Sequence, residues 1–133
     1  MSRKLIPLLL GVAAITATPA SAGPRLSPEA QIERALEGRV AGEPVDCVNL
    51  RDIRNSRVID GTAILFDAGG TIYLNRPRAG ADSLDRADVQ LVRTHTSRLC
   101  SIDTIQMLDA GSRILTGNIF LGEFVPYRRV RTR

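Results

Sequence analysis

Residues 57–75 read RVIDGTAILFDAGGTIYLN, and this stretch decides the fold class. It contains three short runs of β-branched, aliphatic and aromatic residues, which are separated by Asp-Gly at 60–61 and Gly-Gly at 69–70. Such runs between turn-forming pairs are typical of consecutive antiparallel strands. Apolar residues occupy both alternating positions of these runs, so we expect at least one other layer to cover the hairpin.

The strand pattern continues towards the C-terminus. Residues 88–94 and 99–108 predict the two arms of a second hairpin, and residues 113–116 and 119–121 predict one or two last strands. We therefore expect a mainly β fold, α+β at most, with a small antiparallel sheet or a partly open barrel of about five to seven strands.

One short helix is predicted before the strands. Ser27 can cap it, Pro28 suits the first helical position and Gly38 can end it, so the pattern indicates a helix over residues 28–37. The Ala-Gly-Glu-Pro run at residues 41–44 then indicates a linker.

The first 22 residues have the pattern of a cleavable signal peptide. A basic pair at residues 3–4 precedes an apolar run that ends near residue 17, and the small-residue ending Ala-Ser-Ala follows at 20–22. The alternative is an uncleaved membrane anchor, because residues 5–22 approach the roughly 17 to 20 apolar residues of a membrane span. Pro7 and Pro19 lie within this stretch and its strongly apolar part is shorter, which favours cleavage after Ala22. We expect a periplasmic or secreted protein whose mature chain has no transmembrane segment.

Charge is uneven along the predicted mature chain. Residues 1–22 hold two of the 18 basic residues and none of the 14 acidic ones, so 16 arginines face 14 acids. Four of the 16 lie in residues 127–133, which we expect to form a disordered basic tail, and 12 remain in the mildly acidic body. This distribution argues against a nucleic-acid partner. Weak contact with an anionic membrane surface is predicted for the tail arginines Arg128, Arg129, Arg131 and Arg133.

Cys47 and Cys100 are the only cysteines. In an exported chain, a single pair with no C-x-x-C spacing predicts a disulfide, while a free reactive thiol is the alternative. On loop-closure entropy such a bridge stabilises the fold by about 4 kcal/mol. We therefore divide the mature chain into a helix and linker (23–44), a disulfide-closed β-rich domain (45–126) and the basic tail (127–133).

Several motifs resemble a family of small exported bacterial domains of unknown function. The motifs are CVNLRDIR at 47–54, VID at 58–60, ILF at 64–66, YLN at 73–75, LCSIDTI at 99–105 and LGEFVP at 121–126. Members of that family often have two further cysteines, near Ala81 and near Ile119, and this chain has neither. The resemblance implies that Cys47 and Cys100 form the retained bridge, and it implies no activity.

His95 is the only histidine and the one candidate for general acid–base catalysis. Such a base needs a nucleophile and an orienting carboxylate, for which Ser101 and Asp103 are the candidates. The predicted position of His95 at a hairpin tip favours an exposed turn residue instead.

Two further patterns could indicate ligand sites, one for a metal ion and one for a phosphate. Asp82, Asp85 and Asp88 recur every third residue, but this spacing does not fit an EF-hand loop, so we expect turn caps and no metal. The Gly-Gly at 69–70 is followed by no lysine and no predicted helix, so we interpret it as a turn rather than a phosphate cradle.

These observations favour a non-enzymatic binding or structural component of the bacterial envelope, with no cofactor and no catalytic residue. Its partner would be another envelope component. One alternative is a small periplasmic hydrolase-like enzyme that uses His95. Another is an adhesion or inhibitor module, which would present an exposed apolar patch.

Overall fold

The computed structural model describes residues 23–131, so the predicted signal peptide and Arg133 lie outside the described residues. The helix is α1 (Pro28–Ala35), and the strands are β1 (Arg39–Ala41), β2 (Cys47–Asn49), β3 (Asn55–Ile59), β4 (Ala63–Ala68), β5 (Thr71–Asn75), β6 (Val89–Val92), β7 (Arg98–Cys100), β8 (Thr104–Leu108), β9 (Leu115–Phe120) and β10 (Phe124–Arg129). The prediction of a mainly β fold with one short helix is confirmed, but the described residues form ten strands in three antiparallel sheets rather than one sheet or barrel of about five to seven strands. Within residues 23–131 no helix has both the length and the apolarity needed to cross a membrane.

The largest sheet has five antiparallel strands in the order β1-β10-β5-β4-β3. Its centre is the stretch that decided the fold class, and the predicted succession of three strands is confirmed. Gly61 and Gly69 occupy the two turns with φ of 64° and 77°. Glycine adopts this left-handed conformation without steric cost, so both turns can be tight. The edge strands β1 and β3 are not joined, so the sheet does not close into a barrel.

Apolar layers cover both faces of this sheet, as its pattern predicts. On one face lies an inter-sheet core, in which Ile64, Phe66 and Phe124 pack with Ile105 and Met107 of β8. On the other face lies a helix-side core, formed by Ile32 and Leu36 with the sheet residues Ile59, Ala63, Leu65 and Leu74. Ser27 caps α1 by accepting a hydrogen bond from the Ala30 N–H, as predicted.

The second predicted hairpin is only partly correct. β6 pairs with β8, and β8 pairs with β9, in a three-stranded antiparallel sheet. β7 lies outside it and pairs with β2, because Cys47 and Cys100 are directly opposite each other and their Sγ atoms are 2.07 Å apart. Strand β9 runs through Gly117, where a larger side chain would collide with Ser83, and its pairing with β8 has an irregular register beside this glycine.

The predicted basic tail begins too early. Residues 127–129 belong to β10, which pairs with β5 on one side and β1 on the other. Tyr127 packs against the helix-side core. The predicted linker is also too long, because Ala41 lies in β1 opposite Tyr127. Strand pairing on both sides and one half-buried aromatic ring therefore hold residues whose charge alone indicated disorder.

Candidate functional site

The antiparallel register brings six arginines to one end of the five-stranded sheet. We call this group the basic end; it comprises Arg39, Arg51, Arg54, Arg128, Arg129 and Arg131. The sequence identifies the three C-terminal members as a basic run. It gives no sign of the other three, because Arg39 joins the group through strand pairing, and Arg51 and Arg54 through the tertiary placement of the segment between β2 and β3.

β10 delivers the C-terminal members beside the β4–β5 turn. Arg128 lies opposite Thr71, the residue that follows this turn, and Arg129 lies opposite Arg39 in β1. Side chains alternate along a strand, so Arg128 and Arg129 extend from opposite faces of the sheet. The guanidinium of Arg128 extends over Gly42.

Two further arginines flank the same turn. Arg39 donates from Nη1 to the Gly70 carbonyl at 3.0 Å and to the Tyr127 carbonyl at 3.3 Å. On the other side, the backbone N–H of Arg54 donates to the Asp67 carbonyl at 2.7 Å. Its guanidinium carbon lies 3.6 Å from where a Cβ on Gly69 would be, so it packs against the bare glycine.

Arg51 and Arg54 also line a recess of 240 Å³ with Thr71 and Tyr73. The recess lies between the segment that follows β2 and the end of the β4–β5 hairpin. Asn49 shapes that segment, because its Oδ1 accepts a hydrogen bond from the Arg51 N–H at 3.1 Å. The recess therefore presents guanidinium, hydroxyl and phenol donors together.

Within residues 23–131 no carboxylate forms an ion pair with an arginine of the basic end, although Asp52 lines the same recess as Arg51 and Arg54. The ion pairs of the described residues lie away from the basic end: Arg76 binds Glu29 at 2.9 Å, and Arg86 lies 3.6 Å from Asp60. The hydrogen bonds from Arg76 hold the pKa of the Glu29 carboxyl below its ordinary value. In contrast, Arg39 of β1 lies directly opposite Arg129 of the adjacent strand β10, and like charges at opposite positions disfavour strand pairing.

The structure does not connect the residues of the catalytic hypothesis. His95 is exposed on the loop between β6 and β7. Asp103 accepts a hydrogen bond from the Cys100 N–H at 2.7 Å, and Ser101 donates to Asp46 at 3.3 Å. In the described part of the chain, neither side chain forms a hydrogen bond with His95.

The three aspartates of the calcium hypothesis do not share a hydrogen-bond partner. Asp85 accepts a hydrogen bond from the Ala87 N–H at 2.8 Å, and Asp88 accepts one from the Thr116 hydroxyl. Among residues 23–131, no three His, Cys, Asp or Glu side chains form a group that could hold a metal ion.

An exposed apolar surface lies on the outer face of the three-stranded sheet. Val89 and Leu115 flank Leu108 from the two neighbouring strands, and their exposed fractions are 37% and 48%. This is the kind of surface that the adhesion hypothesis requires, but nothing in the structure identifies what would cover it.

Comparison with known proteins gives no functional assignment. No protein-family model matches this chain, and no curated protein or solved structure is significantly similar to it. The resemblance to small exported domains therefore stays a prediction.

Proposed function

We propose that this chain is a non-enzymatic domain that acts outside the cytoplasm and attaches to anionic lipid surfaces of the bacterial envelope through the basic end. The observation that carries this proposal is the convergence of six arginines, none of which forms an ion pair within residues 23–131, with Asp52 as the one acidic residue lining their recess. Each arginine near an anionic membrane contributes about 1 kcal/mol at low salt.

The sheet contributes to attachment by holding the charges in place. Arg128 and Arg129 are fixed by β10 and reach out on both sides of the sheet, so the domain meets a surface with its end rather than with one face. Less ordering is then needed on binding than for a flexible tail, and the loss of conformational entropy is smaller.

The location outside the cytoplasm has two supports. Residues 1–22 have the pattern of a signal peptide. The Sγ atoms of Cys47 and Cys100 lie at bonding distance, and disulfides persist mainly in oxidising compartments such as the periplasm.

Vesicle co-sedimentation at low ionic strength tests the attachment. We expect the purified mature protein to bind vesicles that contain phosphatidylglycerol and not vesicles of phosphatidylcholine alone, with binding lost as salt is added. The double change Arg128→Gln and Arg129→Gln should weaken the free energy of vesicle binding by about 2 kcal/mol, which corresponds to an affinity about 30-fold lower.

A matched control removes the same charge from the opposite end of the sheet. Arg25 lies near the β3–β4 turn, and Arg78 follows the far end of β5. The double change Arg25→Gln and Arg78→Gln should reduce binding much less. Equal losses in the two doubles would mean that net charge alone drives binding, and failure of the unchanged protein to bind anionic vesicles would refute the proposal.

A further inference from the structure

Helix α1 covers only part of its face of the five-stranded sheet. Beyond the helix-side core, the helix and the sheet enclose a groove of 510 Å³ that is open to solvent along one side. We call it the helix groove; its floor is Ile59, Leu65 and Ile72, one wall is Ala35, and its rim carries Arg34 and Arg57. A volume of this size is within the range of small-molecule sites.

The floor of the helix groove is apolar. Ile59 and Leu65 lie at its bottom and are almost fully buried in the helix-side core. The apolar surface that the groove itself offers comes from the half-buried Ile72 and Ala35 and from the exposed Leu26. Water against such a surface is displaced favourably by an alkyl chain.

The rim of the helix groove is cationic. Arg34 lies in the last turn of α1 and Arg57 in the middle of β3, and both are exposed. Within residues 23–131 neither guanidinium forms an ion pair or donates a hydrogen bond to the protein. The groove also contains the carboxylate of Asp67, which accepts a hydrogen bond from the Gly69 N–H at 2.9 Å and caps the β4–β5 turn, so two guanidinium groups and one carboxylate leave the groove with a net positive charge.

We propose that the helix groove binds a single-chain anionic amphiphile, with its alkyl chain on the apolar floor and its carboxylate bound by Arg34 and Arg57. Guanidinium groups recognise carboxylates through charge-assisted hydrogen bonds, and the floor requires an apolar chain. A small anion would leave the floor unused, and a neutral alkyl chain would leave the two arginines unused. This site lies outside the basic end and stands on different residues.

Four probes separate the two parts of the site by titration calorimetry. Decanoate, used below its critical micelle concentration, has both the alkyl chain and the carboxylate. Decan-1-ol has the chain without the charge, decyltrimethylammonium has the chain with the opposite charge, and acetate has the carboxylate without the chain. We expect decanoate to bind at least about tenfold more tightly than decan-1-ol, and acetate and the cation to show no saturable binding. Equal binding of decanoate and decan-1-ol, or of decanoate and acetate, would overturn the proposal.

Variants assign the binding to the groove. Because Arg34 and Arg57 are exposed, the double change Arg34→Gln and Arg57→Gln should fold normally, which circular dichroism checks. It should lower decanoate affinity to that of decan-1-ol and leave decan-1-ol binding unchanged; unchanged decanoate affinity would overturn the proposal.

The basic-end double, Arg128→Gln and Arg129→Gln, should retain decanoate binding. Loss of decanoate binding in that variant would mean that the carboxylate binds at the basic end and not in the helix groove, and it would overturn the assignment. If the unchanged protein binds anionic vesicles but not decanoate, only the groove proposal fails. If it binds decanoate but not vesicles, only the attachment proposal fails.

Discussion

At the scale of the residue, the side chain of Asn75 supplies the hydrogen bonds that the backbone of Gly122, which lies outside the strands, does not receive from a neighbouring strand. It is the only buried polar side chain in the described part of the chain. Its Nδ2 donates to the Gly122 carbonyl at 2.7 Å, and its Oδ1 accepts from the Gly122 N–H at 3.0 Å. A larger residue at 122 would collide with the Arg76 carbonyl, so the asparagine and the glycine depend on each other. Both lie in motifs that carry the family resemblance, and here both have a structural role.

The change Asn75→Asp should destabilise the fold by about 3 kcal/mol at pH 7, because a buried carboxylate would face the Gly122 carbonyl without a proton to donate. Burial and that carbonyl should raise the pKa of the new aspartate in the folded state. Protonation at lower pH then restores the donor, so the loss relative to the unchanged protein should shrink at pH 4.

Urea unfolding of both proteins at each pH measures the difference. Asn118→Asp is the matched control, because Asn118 is exposed on β9 and should show a change near zero. If Asn75→Asp lowered the free energy of unfolding by the same amount at both pH values, this account would be contradicted.

At the scale of the element, β10 is the strand on which both the sheet and the basic end depend. Sequence alone predicts that removing residues 127–133 leaves folding intact. In the structure, truncation after Pro126 would remove all pairing with β1, the last two residue pairs with β5 and the contact of Tyr127 with the helix-side core.

We expect truncation after Pro126 to lower the free energy of unfolding by about 3 kcal/mol or more, through lost aromatic burial and strand hydrogen bonds. Truncation after Val130 removes only residues that follow the strand, and it should leave stability almost unchanged. Chemical denaturation of the two truncated proteins measures both effects. Equal stability of the two would restore the interpretation of residues 127–133 as a tail.

The elements that sequence predicted well are those with a long enough pattern. β3 to β5 combine alternating apolar residues with glycine turns, so their succession was predictable. β1, β2 and β7 have three residues each, too few for a periodic pattern, and only pairing with distant segments defines them. The same limit applies to the basic end, since Arg39 reaches it through its register in β1, and Arg51 and Arg54 reach it through the segment between β2 and β3.

At the scale of the whole molecule, the Cys47–Cys100 bond joins parts of the fold that have few other links. β2 and β7 form a two-stranded sheet of three residues per strand, a size that is marginal by itself. Its Val48 and Leu99 are buried in the inter-sheet core. The segment that carries Arg51 and Arg54 follows β2 directly, so this small sheet also positions part of the basic end.

The changes Cys47→Ser and Cys100→Ser, alone and together, should lower the free energy of unfolding by about 2 to 5 kcal/mol and by equal amounts, because each removes the same bond. Reduction of the unchanged protein should have the same effect, since it opens the same loop. Denaturation with and without reductant measures this, and the double variant is the control that reductant should not affect. Val48 and Leu99 remain to pack in every variant, so the inter-sheet core should persist and unfolding should stay cooperative. Two free thiols titrated in the native, non-reduced protein, or unequal effects of the two single changes, would contradict the pairing.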